Sequence, residues 1–168
     1  MAELVDHFLR QQGAMAAQLQ ELVEIESPSG EKAAVDRAGA WIAEQMQQAG
    51  GVVEILARQQ VGDLVIGRWG DTNAGNPILL LAHRDTVWPL GTLAERPVRL
   101  ADGRLYGPGA YDMKAGIILA LAALRGLQAL GRDLAAPVVM LVTGDEETGS
   151  LGSRAVIEEL AAASRLVL

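Results

Sequence analysis

Apolar residues at helical spacing open the chain. Leu4, Phe8, Met15, Leu19, Leu22 and Val23 recur so as to predict a helix over residues 3–25. Ser27-Pro28-Ser29-Gly30 ends it, because proline and glycine both resist helical continuation. Ser29 is placed to cap a second helix that reaches residue 48, with Val35, Ala38, Ile42 and Met46 on one face and Gly50-Gly51 as its stop. Two short strands follow, over 52–58 and 62–69, as a hairpin or as neighbours, and 71–77 reads as a loop. Ile78-Leu79-Leu80-Leu81-Ala82 is then continuously apolar, the mark of a strand covered on both faces. Residues 85–111, with Pro89, Pro97 and Pro108, form a long irregular stretch with short strands at most, at 98–100 and 104–106. Such loops inside a compact domain are often functional. An apolar helix over 113–130, a buried strand over 136–142, a helix over 150–163 and the start of a strand at 165–168 complete the pattern.

The closing strand–helix–strand–helix–strand order predicts an α/β fold: a mixed, largely parallel sheet with helices on both faces. In such sheets ligands sit at the carboxyl ends of the strands. Ending on a bare apolar strand is unusual for a domain, so the chain is expected to continue beyond residue 168.

Composition narrows the chemistry. The sequence is 50% hydrophobic but only 4% aromatic, so the core must be built mainly of Leu, Val, Ile and Ala. A net charge of −7 argues against nucleic acid or an anionic membrane as the main partner. The absence of cysteine excludes disulfides and thiolate chemistry, so any metal must be held by imidazole and carboxylate, from His7 or His83 and the acids. His7, with no second ligand type near it, reads as a surface residue of the first helix. No basic leader and no apolar run of membrane-spanning length is evident, which sets the expectation of a cytoplasmic protein.

Three polar clusters stand where the sheet edge is expected: His83-Arg84-Asp85-Thr86-Val87, Gly107-Pro108-Gly109-Ala110-Tyr111-Asp112-Met113-Lys114, and Gly144-Asp145-Glu146-Glu147-Thr148-Gly149. Residues i and i+2 of an extended chain share a side, so Asp85 can accept the second N–H of a metal-bound His83. The plain alternative is a polar turn. Asp112 is either a ligand or an ordinary helix N-cap. Asp145-Glu146-Glu147 is either a solvated acidic loop or a set of carboxylates whose repulsion a cation offsets. Two adjacent glutamates allow one to bind metal while the other stays free as a base. The glycines before Asp112 lack the lysine of a phosphate loop, and Lys114 reads as a solvated or locally paired side chain. One histidine with carboxylates suits zinc, and also manganese or cobalt.

With these residues in hand, the chain resembles the zinc-dependent exopeptidase family of glutamate carboxypeptidase, aminoacylase and succinyl-diaminopimelate desuccinylase, and most of all the glutamate carboxypeptidase branch. The resemblance rests on His-x-Asp-Thr-Val, Gly-Pro-Gly-x-x-Asp-x-Lys-x-Gly and Asp-Glu-Glu-x-Gly-Ser in family order and spacing. It extends from Ser27 to Arg154. It implies two zinc ions, with His83 on one, Asp112 bridging both and Glu147 on the other. It also implies Glu146 as general base and Asp85 orienting His83. The implied substrate is a small peptide or an N-acyl amino acid, cleaved at an amide bond.

The family needs two further ligands and a lid or dimerisation domain, through which the full-length protein would form a homodimer. None of these is among the 168 residues. The chain thus reads as the N-terminal part of a catalytic domain, inactive by itself. Two other classes remain: a non-catalytic metal-binding domain, and a different metal hydrolase such as a phosphoesterase. The latter usually needs cations near the metals, and the three clusters offer only Arg84 and Lys114.

Overall fold

A computed structural model describes residues 2–71 and 74–168; Met1, and Thr72 and Asn73 of the expected loop, lie outside the described residues. The elements follow the expected order with sharper bounds. Helices α1 (Ala2–Glu24) and α2 (Lys32–Gln48) lead into strands β1 (Val52–Leu56), β2 (Leu64–Trp69) and β3 (Ile78–His83). The long connection then holds a short helix α3 (Thr92–Glu95), which the apolar pattern does not reveal, and a small hairpin of β4 (Arg99–Ala101) and β5 (Arg104–Tyr106). Helix α4 (Ala115–Ala129), strand β6 (Val138–Thr143), helix α5 (Arg154–Ala163) and strand β7 (Leu166–Val167) complete the chain.

The main sheet runs β1-β2-β6-β3-β7. Strands β3, β6 and β7 are parallel, while β2 joins both β1 and β6 antiparallel, so the sheet is mixed. Its two faces are apolar because the central strands alternate into two cores. Val65, Ala82, Val138, Met140 and Val142 pack with Ala38, Ile42 and Met46 of α2 and with Ile117, Ile118, Leu121 and Leu124 of α4. Leu64, Ile66, Leu79, Val139 and Leu141 face the other way, against Val156, Ile157, Leu160 and Ala161 of α5. Burial of each Val, Leu, Ile or Met among them contributes about 1.5–3 kcal/mol. No helix among the described residues is long and apolar enough to cross a membrane.

Register places the site. His83, the last residue of β3, pairs with Thr143, the last of β6. The segments leaving both strands, 84–86 and 144–147, therefore emerge side by side at one sheet edge.

Candidate metal centre

Asp112 does not cap a helix. Residues Ala110–Lys114 form a wide turn in which Asp112 has extended backbone angles (φ −115°, ψ 103°), and α4 starts behind Lys114. The Asp112–Met113 peptide is cis. The Asp112 side chain faces His83, with Oδ1 3.0 Å from His83 Nε2. Gly109, at φ +70°, makes the entry turn; a Cβ there would meet Thr86 Cγ2 at 2.5 Å. Met113 Sδ accepts the backbone N–H of His83 at 3.3 Å, a second tie between the first two clusters.

The third cluster divides. Glu146–Thr148 is a 3-10 turn, so the helix expected from residue 150 begins only at Arg154. Asp145 does not join its two neighbours in the site. It is buried, and its Oδ2 accepts the amides of Gly152 and Ser153 at 2.7 and 3.2 Å. Its Oδ1 has no hydrogen-bond partner among the described residues. Glu146 and Glu147 remain at the sheet edge. The ligand atoms of His83, Asp112 and Glu147 all lie within 4.8 Å of one another, the only such cluster of three among the described residues. Glu146 Oε2 stands 3.8 Å from His83 Nε2 on a half-exposed side chain.

Asp85 lies behind the imidazole. His83 Nδ1 is 3.4 Å from Asp85 Oδ1 and 3.1 Å from its carbonyl oxygen. The fully buried Asp85 carboxylate also accepts the amides of Glu146 and Glu147, both at 3.2 Å, and the Ser29 hydroxyl at 2.7 Å. Ser29 therefore does not cap α2: the N-cap position is Glu31, without a side-chain cap bond.

Two basic residues of the clusters are structural. Lys114 is not solvated; it is 1% exposed, and Nζ donates to the carbonyls of Leu22 and Ile25 at 3.1 and 2.8 Å, closing the end of α1. Burial pushes it down to about 8, against the attraction of Glu26. Arg84, 0% exposed, donates to the carbonyls of Val35 and Val142, each at 2.9 Å, and to that of Asp63. Sequence reasoning missed both roles. Lys114, between Met113 and Ala115 at the head of an apolar helix, carries some signal of burial; Arg84, between His83 and Asp85, carries none.

The electrostatics fit a cation. Burial acts to lower His83, but hydrogen bonding to Asp85, the Asp85 charge, Asp112 and Glu146 together raise it to about 9. Asp85 is held below the usual range: burial opposes this, but the bonds from His83, Ser29 and the Glu147 amide win. Glu147 is pushed up by burial and by the charges of Asp112, Asp85 and Glu146, against the pull of His83. A set of one imidazole and crowded carboxylates, short of positive charge, is the donor set for a hard-to-borderline divalent ion.

Known proteins resemble this chain in sequence and in fold. The sequence model of Peptidase family M20/M25/M40 matches residues 79–167. Carboxypeptidase G2 of Pseudomonas sp. (strain RS-16) is 34% identical over 160 residues, covering 94% of this chain and 38% of that protein. A succinyl-diaminopimelate desuccinylase of Methylorubrum extorquens is 36% identical over 115 residues, 64% of this chain and 30% of that protein. Among solved structures, human carnosine dipeptidase 1 superposes with a TM-score of 0.85 at 20% identity, over 99% of this chain and 40% of that one. The M20 family metallo-carboxypeptidase Sso-CP2 of Sulfolobus solfataricus gives 0.75 at 22%, over 92% and 36%. At these identities the structures speak for the fold alone. The chain spans well under half the length of these relatives.

Proposed function

Because the chain belongs to Peptidase family M20/M25/M40, we propose that the full-length protein is a metal-dependent hydrolase of amide bonds. It releases a C-terminal amino acid or removes the acyl group of an N-acyl amino acid. The observation that carries this reading is the convergence of His83, Asp112 and Glu147 within 4.8 Å, with a further carboxylate, Glu146, beside them. The names of carboxypeptidase G2 and the desuccinylase support the two forms of the reaction.

In this reading His83 would hold one zinc ion, Glu147 a second, and Asp112 would serve both; cobalt or manganese would suit the same donors. When bound, the ions supply Lewis acidity and an acidified water. Glu146, exposed beside the ligand atoms, takes the proton of the attacking water and delivers it to the leaving amine nitrogen. Asp85 accepts from His83 Nδ1 and fixes the imidazole with Nε2 toward the ions.

Three ligand residues are too few for two ions. The 168 residues are read as the N-terminal part of the catalytic domain, with the remaining ligands and a lid or dimerisation domain elsewhere in a homodimeric full-length protein. By themselves they are expected to hydrolyse N-acyl amino acids not at all or barely. Clear turnover by the zinc-loaded 168-residue chain, abolished by Glu146→Ala, would contradict this.

The phosphoesterase alternative is disfavoured by Arg84 and Lys114, whose cationic ends are buried on backbone carbonyls and unable to clamp a phosphate at the site. Calorimetric zinc titration of the full-length protein and of Asp112→Ala tests the proposal. Stoichiometric binding weakened on the order of 100-fold or more by the substitution is expected, together with amide hydrolysis. Unchanged binding in the variant would show that these residues are not the ligand set, and binding without any hydrolysis would favour a non-catalytic domain.

A further inference from the structure

Residues 27–30, between α1 and α2, lie against the segment that leaves β3 as a short added strand. Pro28 and Thr86 form a parallel bridge. The Thr86 amide donates to the Ser27 carbonyl at 2.9 Å and the Ser29 amide to the Thr86 carbonyl at 3.2 Å. The buried Ser27 hydroxyl donates to the Arg84 carbonyl at 2.7 Å. These contacts fix the backbone on both sides of Asp85. One contact reaches the carboxylate itself: Ser29 Oγ donates to Asp85 Oδ2 at 2.7 Å.

We propose that Ser29 is a positioning residue of the metal centre, acting through Asp85 on His83. The terminal torsion of an aspartate is broad and must be fixed by its hydrogen bonds. Two of the donors to Asp85, the amides of Glu146 and Glu147, stand at 3.2 Å, and His83 Nδ1 lies 3.4 Å from Oδ1. The Ser29 hydroxyl is nearest, and among the described residues it is the one donor that comes from outside the three site clusters. It stops the carboxylate from rotating away from His83. By the same bond it keeps Oδ2 aligned with the turn that carries Glu147. The inference rests on the metal-centre reading above.

The test uses the full-length protein and its Ser29→Ala, Ser29→Thr and Ser29→Asn variants. Loss of a partner to a ligand's own partner is one step further out than the losses of ~10–100-fold known for outer-shell groups, so the effect should be smaller. Ser29→Ala is expected to weaken zinc binding by roughly 3–10-fold and to lower kcat by a similar factor with KM unchanged. Ser29→Thr keeps the hydroxyl and should stay within about twofold of wild type on both readouts.

A merely structural Ser29 would lower the melting temperature and leave zinc affinity, measured well below it, unmoved. If Ser29→Ala does not fold, Ser29→Asn, whose amide donates from one atom further out, should weaken zinc binding in the same range. Wild-type zinc affinity and kcat in Ser29→Ala, or in Ser29→Asn where it is the readout, would overturn the inference. So would failure of Ser29→Thr to restore them. A wild-type protein that binds no zinc would instead overturn the metal-centre reading on which it rests.

Discussion

Arg84→Met should destabilise the protein by about 4 kcal/mol, and the figure can be built from the surroundings of the guanidinium. Methionine keeps an apolar stem of similar reach and adds no strain to the core. What is lost is three hydrogen bonds from a charged donor to the carbonyls of Val35, Val142 and Asp63. At about 1.5–3 kcal/mol each, these contribute roughly 5–9 kcal/mol. The cation also carries a desolvation cost, visible in a pKa that burial pushes down to about 10. At ~1.4 kcal/mol per unit below the usual 12.5, that cost, net of the attraction of Asp36, Asp85, Asp63 and Asp145, is about 3 kcal/mol, and methionine removes it together with the 3.7 Å ion pair to Asp36. The difference is a loss of roughly 2–6 kcal/mol, a large share of the ~5–15 kcal/mol that holds a typical domain together. Urea unfolding followed by far-ultraviolet circular dichroism would measure it. A loss below about 1 kcal/mol would refute the reasoning, since the buried charge would then be as dispensable as the ion triads that apolar residues can replace.

Other outcomes follow from the same geometry. Glu146→Gln should cut kcat by about 10²–10⁴ while zinc affinity stays within a few-fold, measured by steady-state hydrolysis beside calorimetry; a matching loss of zinc would make Glu146 a ligand instead. In the metal-free protein the stabilisation that comes from His83 should fade in alkali. His83 is raised to about 9 in the fold, above its ordinary 6.5. Its contribution is therefore complete below about pH 6.5 and vanishes as pH rises through 9. Lys114, pushed down to about 8, works the other way over part of this range, so urea midpoints of the wild type and of His83→Gln at pH 6 and pH 9.5 isolate the effect; a wild-type midpoint that does not fall relative to the variant's would contradict it. Zinc competes with that same proton, so its affinity should climb over the same interval.

Much of the fold and of the convergence at the candidate site was legible in the sequence because both follow from local pattern. The apolar runs at 78–82 and 138–142 mark two central strands, and a parallel pair must end on the same edge, which is where His83 and Glu147 fall. What escaped notice depends on contacts made across long stretches of chain. Ser29 looks like a helix cap until residues 84–86 come to lie beside it, and Lys114 looks solvated until the end of α1 closes over it. Asp145 cannot be told from its two acidic neighbours by spacing. Only the turn at residues 146–148 aims it inward, at the amides of residues 152 and 153. Charged residues inside the fold were the common blind spot, since their usual place is the surface.

The strand order has a consequence for synthesis. Both neighbours of β3 in the sheet, β6 and β7, come later in the chain, so β3 has no main-sheet partner when it is made. At the ~5–20 residues per second of translation, about 3–11 s separate the end of β3 from the start of β6. During that interval the nascent chain carries Ile78-Leu79-Leu80-Leu81-Ala82 as an unpaired apolar strand, with its edge open to other chains. The ribosome-bound chain is thus most in need of a chaperone over this interval, and His83, Asp112 and Glu147 cannot come together before it ends.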